Sequence, residues 1–307
     1  MSWRDLGLIF EVNALADWAC SHAYVPTALR MNDRIRVYVA FLDVESTGRL
    51  GYVDVALDDP RRILGYSERP LLDVTEPGAF DSDGITPMAI VRHGAQYRLY
   101  YAGWRRLRHQ AARYTIFTGL AVSPDGTRFR RVCRYPILGP TYAGQTVRTV
   151  GAVIPLEEGW RCYFAEDVGL IDIKGKQTPS YRLSTMVSPD GVEWPVESDQ
   201  VFPVKPGSVF GYGRSAVWKS AGHFHGLFSV RRIDGGYRSI DYAESRDGIN
   251  WSEFTDCNKN FRADQTCDGQ KQVCFPSLVH DNRRIIMFYN GNDFGRAGLR
   301  AAIWLKS

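Results

Sequence analysis

The chain reads as an all-β protein, a five-bladed β-propeller of four-stranded antiparallel blades whose ring is closed by an N-terminal strand pairing into the C-terminal blade. The first observation behind this is a repeated phrase. Residues 119–129 read G-L-A-V-S-P-D-G-T-R-F, residues 184–194 read S-T-M-V-S-P-D-G-V-E-W, and residues 241–251 read D-Y-A-E-S-R-D-G-I-N-W. Their aspartates, Asp125, Asp190 and Asp247, recur at spacings of 65 and 57 residues, and a unit repeated at such a period means a radial or stacked architecture. The second observation lies upstream of each phrase: a strand, a short turn, then a strongly aromatic strand, a pattern that occurs five times along the chain. Each copy has room for about four short strands, the size of a propeller blade.

Taken in order, residues 3–10 supply a lone strand whose W-R-D-L-G resembles the W-S-E-F after the third phrase. The first copy follows at 24–29 and 34–41, and its later turn, Leu57-Asp58-Asp59-Pro60, is a degenerate form of the phrase. The second copy begins at 84–91 and 97–104, the third at 149–155 and 160–165, the fourth at 214–218 and 224–230. The fifth, at 273–279 and 284–290, runs out at 299–305, one strand short. The strand at 3–10 is the expected replacement, which would leave no open sheet edge. The repeat therefore makes residues 1–307 a single domain. Within each phrase the Asp-Gly pair is turn chemistry: Gly accepts positive φ and the Asp side chain bonds nearby backbone. The aspartates are thus expected to be structural, with Phe129, Trp194 and Trp251 packing between neighbouring units.

A hydrophobic fraction of 44% with 13% aromatic residues is enough for a solid core. No stretch approaches the roughly 20 apolar residues of a membrane span, and residues 1–11 show no secretory pattern, so a cytoplasmic protein is expected. Six cysteines (Cys20, Cys133, Cys162, Cys257, Cys267 and Cys274) include no C-x-x-C pair, which argues against zinc and for free thiols. One bridge among the last three stays open. His223 and His225 share a strand face, but two histidines make no metal site, and no ligand cluster marks a divalent cation; no cofactor is implied. A net charge of +4 is too weak to imply nucleic acid.

The phrases F-D-S-D-G-I-T-P-M at 80–88, Y-Y-A-G-W-R-R at 100–106, T-G-L-A-V-S-P-D-G at 118–126, Y-A-E-S-R-D-G-I-N-W at 242–251 and F-Y-N-G-N-D-F-G-R-A-G at 288–298 carry a family resemblance. Over nearly its whole length the chain resembles the five-bladed propellers of carbohydrate-active enzymes: the arabinanase and xylosidase, invertase and levansucrase, and mannoside phosphorylase groups. It is similar to an uncharacterised branch associated with surface-polysaccharide biosynthesis. The resemblance implies carboxylates at the inner ends of the blades: a nucleophile or base, an acid, and a third that tunes the acid. Carried onto this sequence, Asp83 stands at such a position, with Asp81 two residues away. The other equivalent positions hold His22, Arg148 with Thr149, Arg214, and Lys271 with Gln272. Glu166 and Asp167, after the third aromatic strand, are candidates for the missing acid.

Read as chemistry, Asp83 is the candidate base or nucleophile and His22 a proton carrier near neutral pH. Arg148, Arg214 and Lys271 recur at equivalent points of three repeats and, with Arg105, Arg106, Arg231 and Arg232 at the rim, favour an anionic or phosphorylated carbohydrate. Trp104, Tyr101 and Tyr142 are candidates to stack on a sugar ring, with inter-blade packing the competing role for the first two, and Asp293 is a candidate contact in its loop. Three functions stay open: a glycosidase-like enzyme, a glycosyltransferase or phosphosugar transferase using a phosphate-activated donor, and a non-catalytic carbohydrate-binding propeller.

Overall fold

The structure, a computed structural model, describes residues 3–107, 113–254, 259–281 and 284–305. Its first strand, β1 (Arg4–Glu11), has no pairing with its sequence neighbours. The next four, β2 (Ser21–Arg30), β3 (Arg34–Leu42), β4 (Gly48–Ala56) and β5 (Ile63–Tyr66), pair in order, each antiparallel to the last. The same arrangement recurs in β6 (Gly84–His93), β7 (Gln96–Arg106), β8 (Tyr114–Ser123) and β9 (Arg130–Arg131). It recurs again in β10 (Val147–Pro155), β11 (Trp160–Ile173), β12 (Lys176–Ser188) and β13 (Asp199–Phe202). A further set is β14 (Val209–Ser220), β15 (His223–Arg232), β16 (Ser239–Ser245) and β17 (Phe261–Arg262). The last set is β18 (Cys274–His280), β19 (Arg284–Asn290) and β20 (Gly298–Leu305), and here β1 returns, with Arg4 opposite Ile303 and Glu11 opposite Gly298.

The first strand of each set lies beside the first strand of the next: β2 by β6, β6 by β10, β10 by β14, β14 by β18, and β18 by β2. Apolar layers fill the space between consecutive sets. Tyr38, Leu50, Ile85 and Leu99 join the first set to the second, and Phe288, Ile303, Val39 and Val53 join the last back to the first. Flat aromatic and β-branched side chains suit this role, since both faces of each sheet are covered. No helix among the described residues is long and apolar enough to cross a membrane.

The repeated phrase acts as a latch between sets. In the first copy Ser123 Oγ accepts from the Gly126 N–H at 2.9 Å, while Asp125 Oδ1 accepts from the N–H groups of Thr127 and Arg128, each at 2.9 Å. These bonds hold Asp125 well below the usual carboxylate range. The glycines sit at φ of 74°, 71° and 77° for Gly126, Gly191 and Gly248. A tyrosine of the preceding set then donates to each glycine carbonyl: Tyr38 to Gly126 at 2.8 Å, Tyr100 to Gly191 at 2.8 Å, Tyr163 to Gly248 at 2.9 Å. The aromatic that ends the phrase packs on the same neighbour, Phe129 against Tyr38 and Trp251 against Tyr163, both with ring centroids 5.7 Å apart. The aspartates thus order the turns.

Removing one latch should cost measurable stability. Tyr100→Phe leaves the Gly191 carbonyl without its donor and should destabilise the protein by about 1 kcal/mol. Gly191→Ala should cost more, because its Cβ would stand 2.8 Å from the Tyr100 hydroxyl at an unfavourable positive φ. Urea denaturation of both variants checks the order.

Candidate functional site

All five first strands are bulged where they face one another. The register breaks between Tyr24 and Thr27 in β2, Pro87 and Ala89 in β6, Val150 and Ala152 in β10, Tyr212 and Ser215 in β14, and Cys274 and Ser277 in β18. A bulge leaves its extra residue outside the ladder and re-aims neighbouring side chains. Three of these extra residues are Pro26, Met88 and Pro276, and their carbonyls converge on one side chain, itself on the bulge of β14. Arg214 donates from Nε to Met88 O at 2.9 Å, from Nη1 to Pro26 O at 3.0 Å, and from Nη1 to Pro276 O. One guanidinium therefore ties β14 to β6, β2 and β18. Burial pushes its pKa down to about 9, which still leaves it charged at neutral pH, with carbonyl dipoles as its only described counter-charge.

Beside this junction lies a cavity of about 470 Å³. Its wall is strongly aromatic: Tyr24 from β2, Trp104 from β7, Tyr114 from β8, Tyr181 from β12, Tyr212 from β14, Phe275 from β18, with Tyr237 and Phe294 from connecting segments. Burial pushes the Tyr24 and Tyr237 hydroxyls upward, so both stay neutral. Besides its tyrosines, the described wall carries Arg214, Arg231 and His22 as charged or titratable side chains; no Asp or Glu is among them. Arg231 is not spent on a carboxylate. Its guanidinium carbon lies 4.4 Å from the Phe210 ring centre, 5.4 Å from Tyr181 and 5.8 Å from Tyr237, and Nη1 donates to Pro179 O at 3.4 Å. Thr86 Oγ1, Thr149 Oγ1 and Trp104 Nε1, also on this wall, are buried without a hydrogen-bond partner among the described residues. The wall thus offers flat apolar faces, free polar atoms and a cation, the set that binds a polar ring bearing negative charge.

Of the residues singled out from sequence, the structure brings His22, Trp104 and Arg214 to this cavity, together with Arg231. His22 sits at a φ of 64°, with Nδ1 2.8 Å from Ser21 Oγ and Asp293 beside it. Burial, then Arg296, lowers its pKa, so the ring is neutral at pH 7. Asp293 is exposed, at a φ of 51°.

The candidate acids lie elsewhere and are engaged. Asp81 is buried and accepts from Thr75 Oγ1 at 2.5 Å, Arg131 Nε at 2.8 Å and Tyr101 Oη at 3.1 Å. Asp83 accepts from the Arg106 N–H at 2.9 Å and lies 3.6 Å from Arg106 Nη1. Glu166 is buried between Arg148 Nε, at 3.1 Å, and Arg182 Nη2, at 2.6 Å. Asp167 accepts from the N–H groups of Thr146, at 3.1 Å, and Val147, at 2.9 Å, pinning the start of β10. Arg148 is turned away because Val147 and Thr149 take the cavity side, and alternate residues of a strand face opposite ways.

Arg105 donates to Gly78 O at 3.1 Å, outside the cavity, and Arg106 is held by Asp83. Tyr142 is 98% exposed and stacks on nothing described, and Tyr101 is fully buried in the layer between sets. Arg232 pairs with Asp241, and Lys271 lines a separate cavity beside β16 and β17. His225 bonds the Tyr242 hydroxyl at 2.6 Å, and His223 is exposed. Asp5, Cys267 and Asp268 come within 4.8 Å of one another. Asp5, however, takes the Tyr289 hydroxyl at 2.7 Å and Asp268 takes Arg300 at 2.5 Å, so hydrogen bonds already use this group. Cys20, Cys133, Cys162, Cys267 and Cys274 are free thiols; Cys257 lies outside the described residues.

Sequence reasoning passed over Tyr24, Tyr181, Tyr212 and Phe275. Three of them sit on first strands at the bulges, where the extra residue breaks the strand alternation that a sequence pattern can follow. Tyr237 comes from an irregular segment with no repeat partner to reveal it.

Two outcomes follow from this geometry. Arg214→Met strands three buried carbonyls, at about 1–3 kcal/mol each, and should destabilise the fold by about 3 kcal/mol or more in urea denaturation. His22, with its pKa lowered by folding, binds a proton more readily when unfolded. Its contribution to stability is therefore present above about pH 6.5 and is lost as pH falls below that value. His22→Gln should flatten the decline in unfolding free energy between pH 7 and pH 5; an unchanged slope would contradict the burial argument.

No protein-family model matches the chain. Two uncharacterised proteins of Mycobacterium tuberculosis, from strains CDC 1551 and H37Rv, are each 28% identical over 307 residues, covering 99% of this chain and 99% of the relative. Among solved structures, an α-L-arabinofuranosidase from Lactobacillus brevis superposes with a TM-score of 0.67 at 10% identity, over 97% of this chain and 93% of that one. A thermostable family-43 glycoside hydrolase gives 0.65 at 12% identity, over 92% and 90%. A structure from the GH130 family of mannoside phosphorylases gives 0.65 at 16% identity, over 94% and 85%. The chain therefore shares the β-propeller fold of these glycoside hydrolase structures.

Proposed function

We propose that residues 1–307 form one five-bladed propeller, closed by β1 in the last blade, whose axial cavity binds a carbohydrate bearing a phosphate or carboxylate. The pairing of β1 with β20 and the packing of β18 against β2 support the closed ring. One observation carries the ligand: the described cavity wall holds Arg231 in an aromatic setting, near neutral His22, and no carboxylate. Residues 108–112, which adjoin that wall in sequence, contain no Asp or Glu.

The same observation bears on the reaction. Cleavage of a glycosidic bond by the two-carboxylate route needs an acid and a nucleophile or base roughly 5–10 Å apart across the sugar. Asp81, Asp83, Glu166 and Asp167 are all committed to arginines or backbone amides away from the wall. Transfer from a phosphate-activated donor makes a different demand. The phosphate leaves as an anion and needs a cation, which Arg231 supplies, and no general acid. The acceptor hydroxyl needs a base, and His22 is the imidazole on the described wall. We therefore favour glycosyl transfer from a phosphorylated sugar over glycosidase-like hydrolysis. The aromatic wall and the free polar atoms of Thr86, Thr149 and Trp104 bind the sugar ring. A cytoplasmic place in polysaccharide assembly, where activated sugars are met, fits this chemistry, and the five free thiols support a reducing compartment.

The test is a thermal-shift and calorimetric panel of sugar phosphates, sugar nucleotides and neutral oligosaccharides. Phosphorylated sugars should bind, Arg231→Ala should weaken them at least tenfold, and Asp83→Asn should leave binding unchanged. Binding confined to neutral oligosaccharides, indifferent to Arg231→Ala, would overturn the reading.

A further inference from the structure

A second cavity, about 580 Å³ in volume, opens beside β16 and β17. The stretch from Arg231 to Arg238 separates it from the axial cavity. Arg231 and Tyr237 face the axial side, whereas Arg232, Gly235 and Arg238 face the second cavity. Its described wall carries four cations, Arg232, Arg238, Arg262 and Lys271, against two carboxylates, Asp241 and Asp264. Both carboxylates are engaged, Asp241 by Arg232 at 2.5 Å and Asp264 by Arg262 at 2.6 Å. Arg238 and Lys271 are exposed and pair with no described carboxylate. Two uncommitted cations of like sign are thus gathered at one concave surface. Such a cleft concentrates positive potential and draws in anions. An arginine fork with a lysine point charge suits a phosphoryl or carboxylate group, and Phe254 adds a flat apolar wall for a ring attached to it.

We propose that this second cavity is an anion site, in which Arg238 and Lys271 hold a phosphoryl or carboxylate group of a saccharide ligand. The assignment does not depend on what fills the axial cavity. It gives Lys271 a binding role off the propeller axis, reached from the opposite side of the 231–238 segment.

Isothermal titration calorimetry of the full chain at 50 mM salt tests it, with inorganic pyrophosphate and tetragalacturonate as probes. The wild type should bind at least one probe, and 200 mM salt should weaken that binding. Arg238→Ala/Lys271→Ala should lose at least tenfold in affinity, while Arg231→Ala stays within twofold of wild type. Both substituted side chains are exposed, so the double variant should keep the wild-type melting temperature. Binding of pyrophosphate alone assigns the site to phosphoryl groups, and binding of tetragalacturonate alone assigns it to carboxylates. If neither probe binds the wild type, or the double variant binds as the wild type does, the site does not exist as proposed. Loss of binding in Arg231→Ala with the double variant intact would also overturn it, while leaving the axial reading in place.

Discussion

The centre of this molecule depends on a single buried arginine. Bulges in the first strands free the carbonyls of Pro26, Met88 and Pro276 from the sheet ladders and turn them inward. Buried carbonyls without donors are costly. Arg214, on the bulge of β14, meets all three. The bulges and the arginine require each other: without the bulges the carbonyls would be in register with a neighbour, and without the arginine the bulged strands would face the axis unpaired. Close packing at this point also explains Gly151, where a Cβ would lie 2.9 Å from the Ser215 backbone nitrogen.

That arrangement sets the electrostatics of the cavity beside it. The carboxylates of the surrounding strands are used to hold strands together within a set: Asp81 fixes Arg131, Glu166 joins Arg148 and Arg182, and Asp54 locks Arg36 at 2.8 Å. These pairs are buried or nearly so, where losing one partner leaves an uncompensated charge. These acids are therefore not available to the cavity, and its described wall is left aromatic with a positive bias. A fold shared with glycoside hydrolase structures here surrounds a cavity whose described wall carries no Asp or Glu, and function has to be argued from that wall and not from the architecture.

Much of the fold is legible in the sequence, because turn chemistry and strand alternation are local. Ser-x-Asp-Gly marks its own turn wherever it occurs, and Asp125, Asp190 and Asp247 all bond the amides that follow them. The repeat also locates each first strand to within a few residues. The site is less legible. Sequence alignment of the repeats puts Arg148 and Arg214 at equivalent points, yet Arg148 lies ahead of the β10 bulge and faces Glu166, whereas Arg214 lies inside the β14 bulge and reaches the carbonyls of Pro26, Met88 and Pro276. The difference is one of side-chain parity, and a single extra residue in a bulge reverses it. Nothing in a one-dimensional pattern records where that residue is inserted. The partners of Asp81 and Glu166 are similarly hidden, since Arg131 lies 50 residues from Asp81 in the chain.

By itself, then, the sequence determined what depends on neighbours along the chain: the strands, the turns and their period, and it singled out His22, Arg148, Arg214 and Lys271 as side chains in or near the first strands. Only the tertiary structure decided which of those side chains meet. It sent Arg214 to three carbonyls, Arg148 to Glu166, Lys271 to a cavity off the axis, and Arg231 to the aromatic wall. The physical reason is that charge is neutralised through space, and the distances that govern it are fixed by bulges and packing between sets of strands remote in the chain.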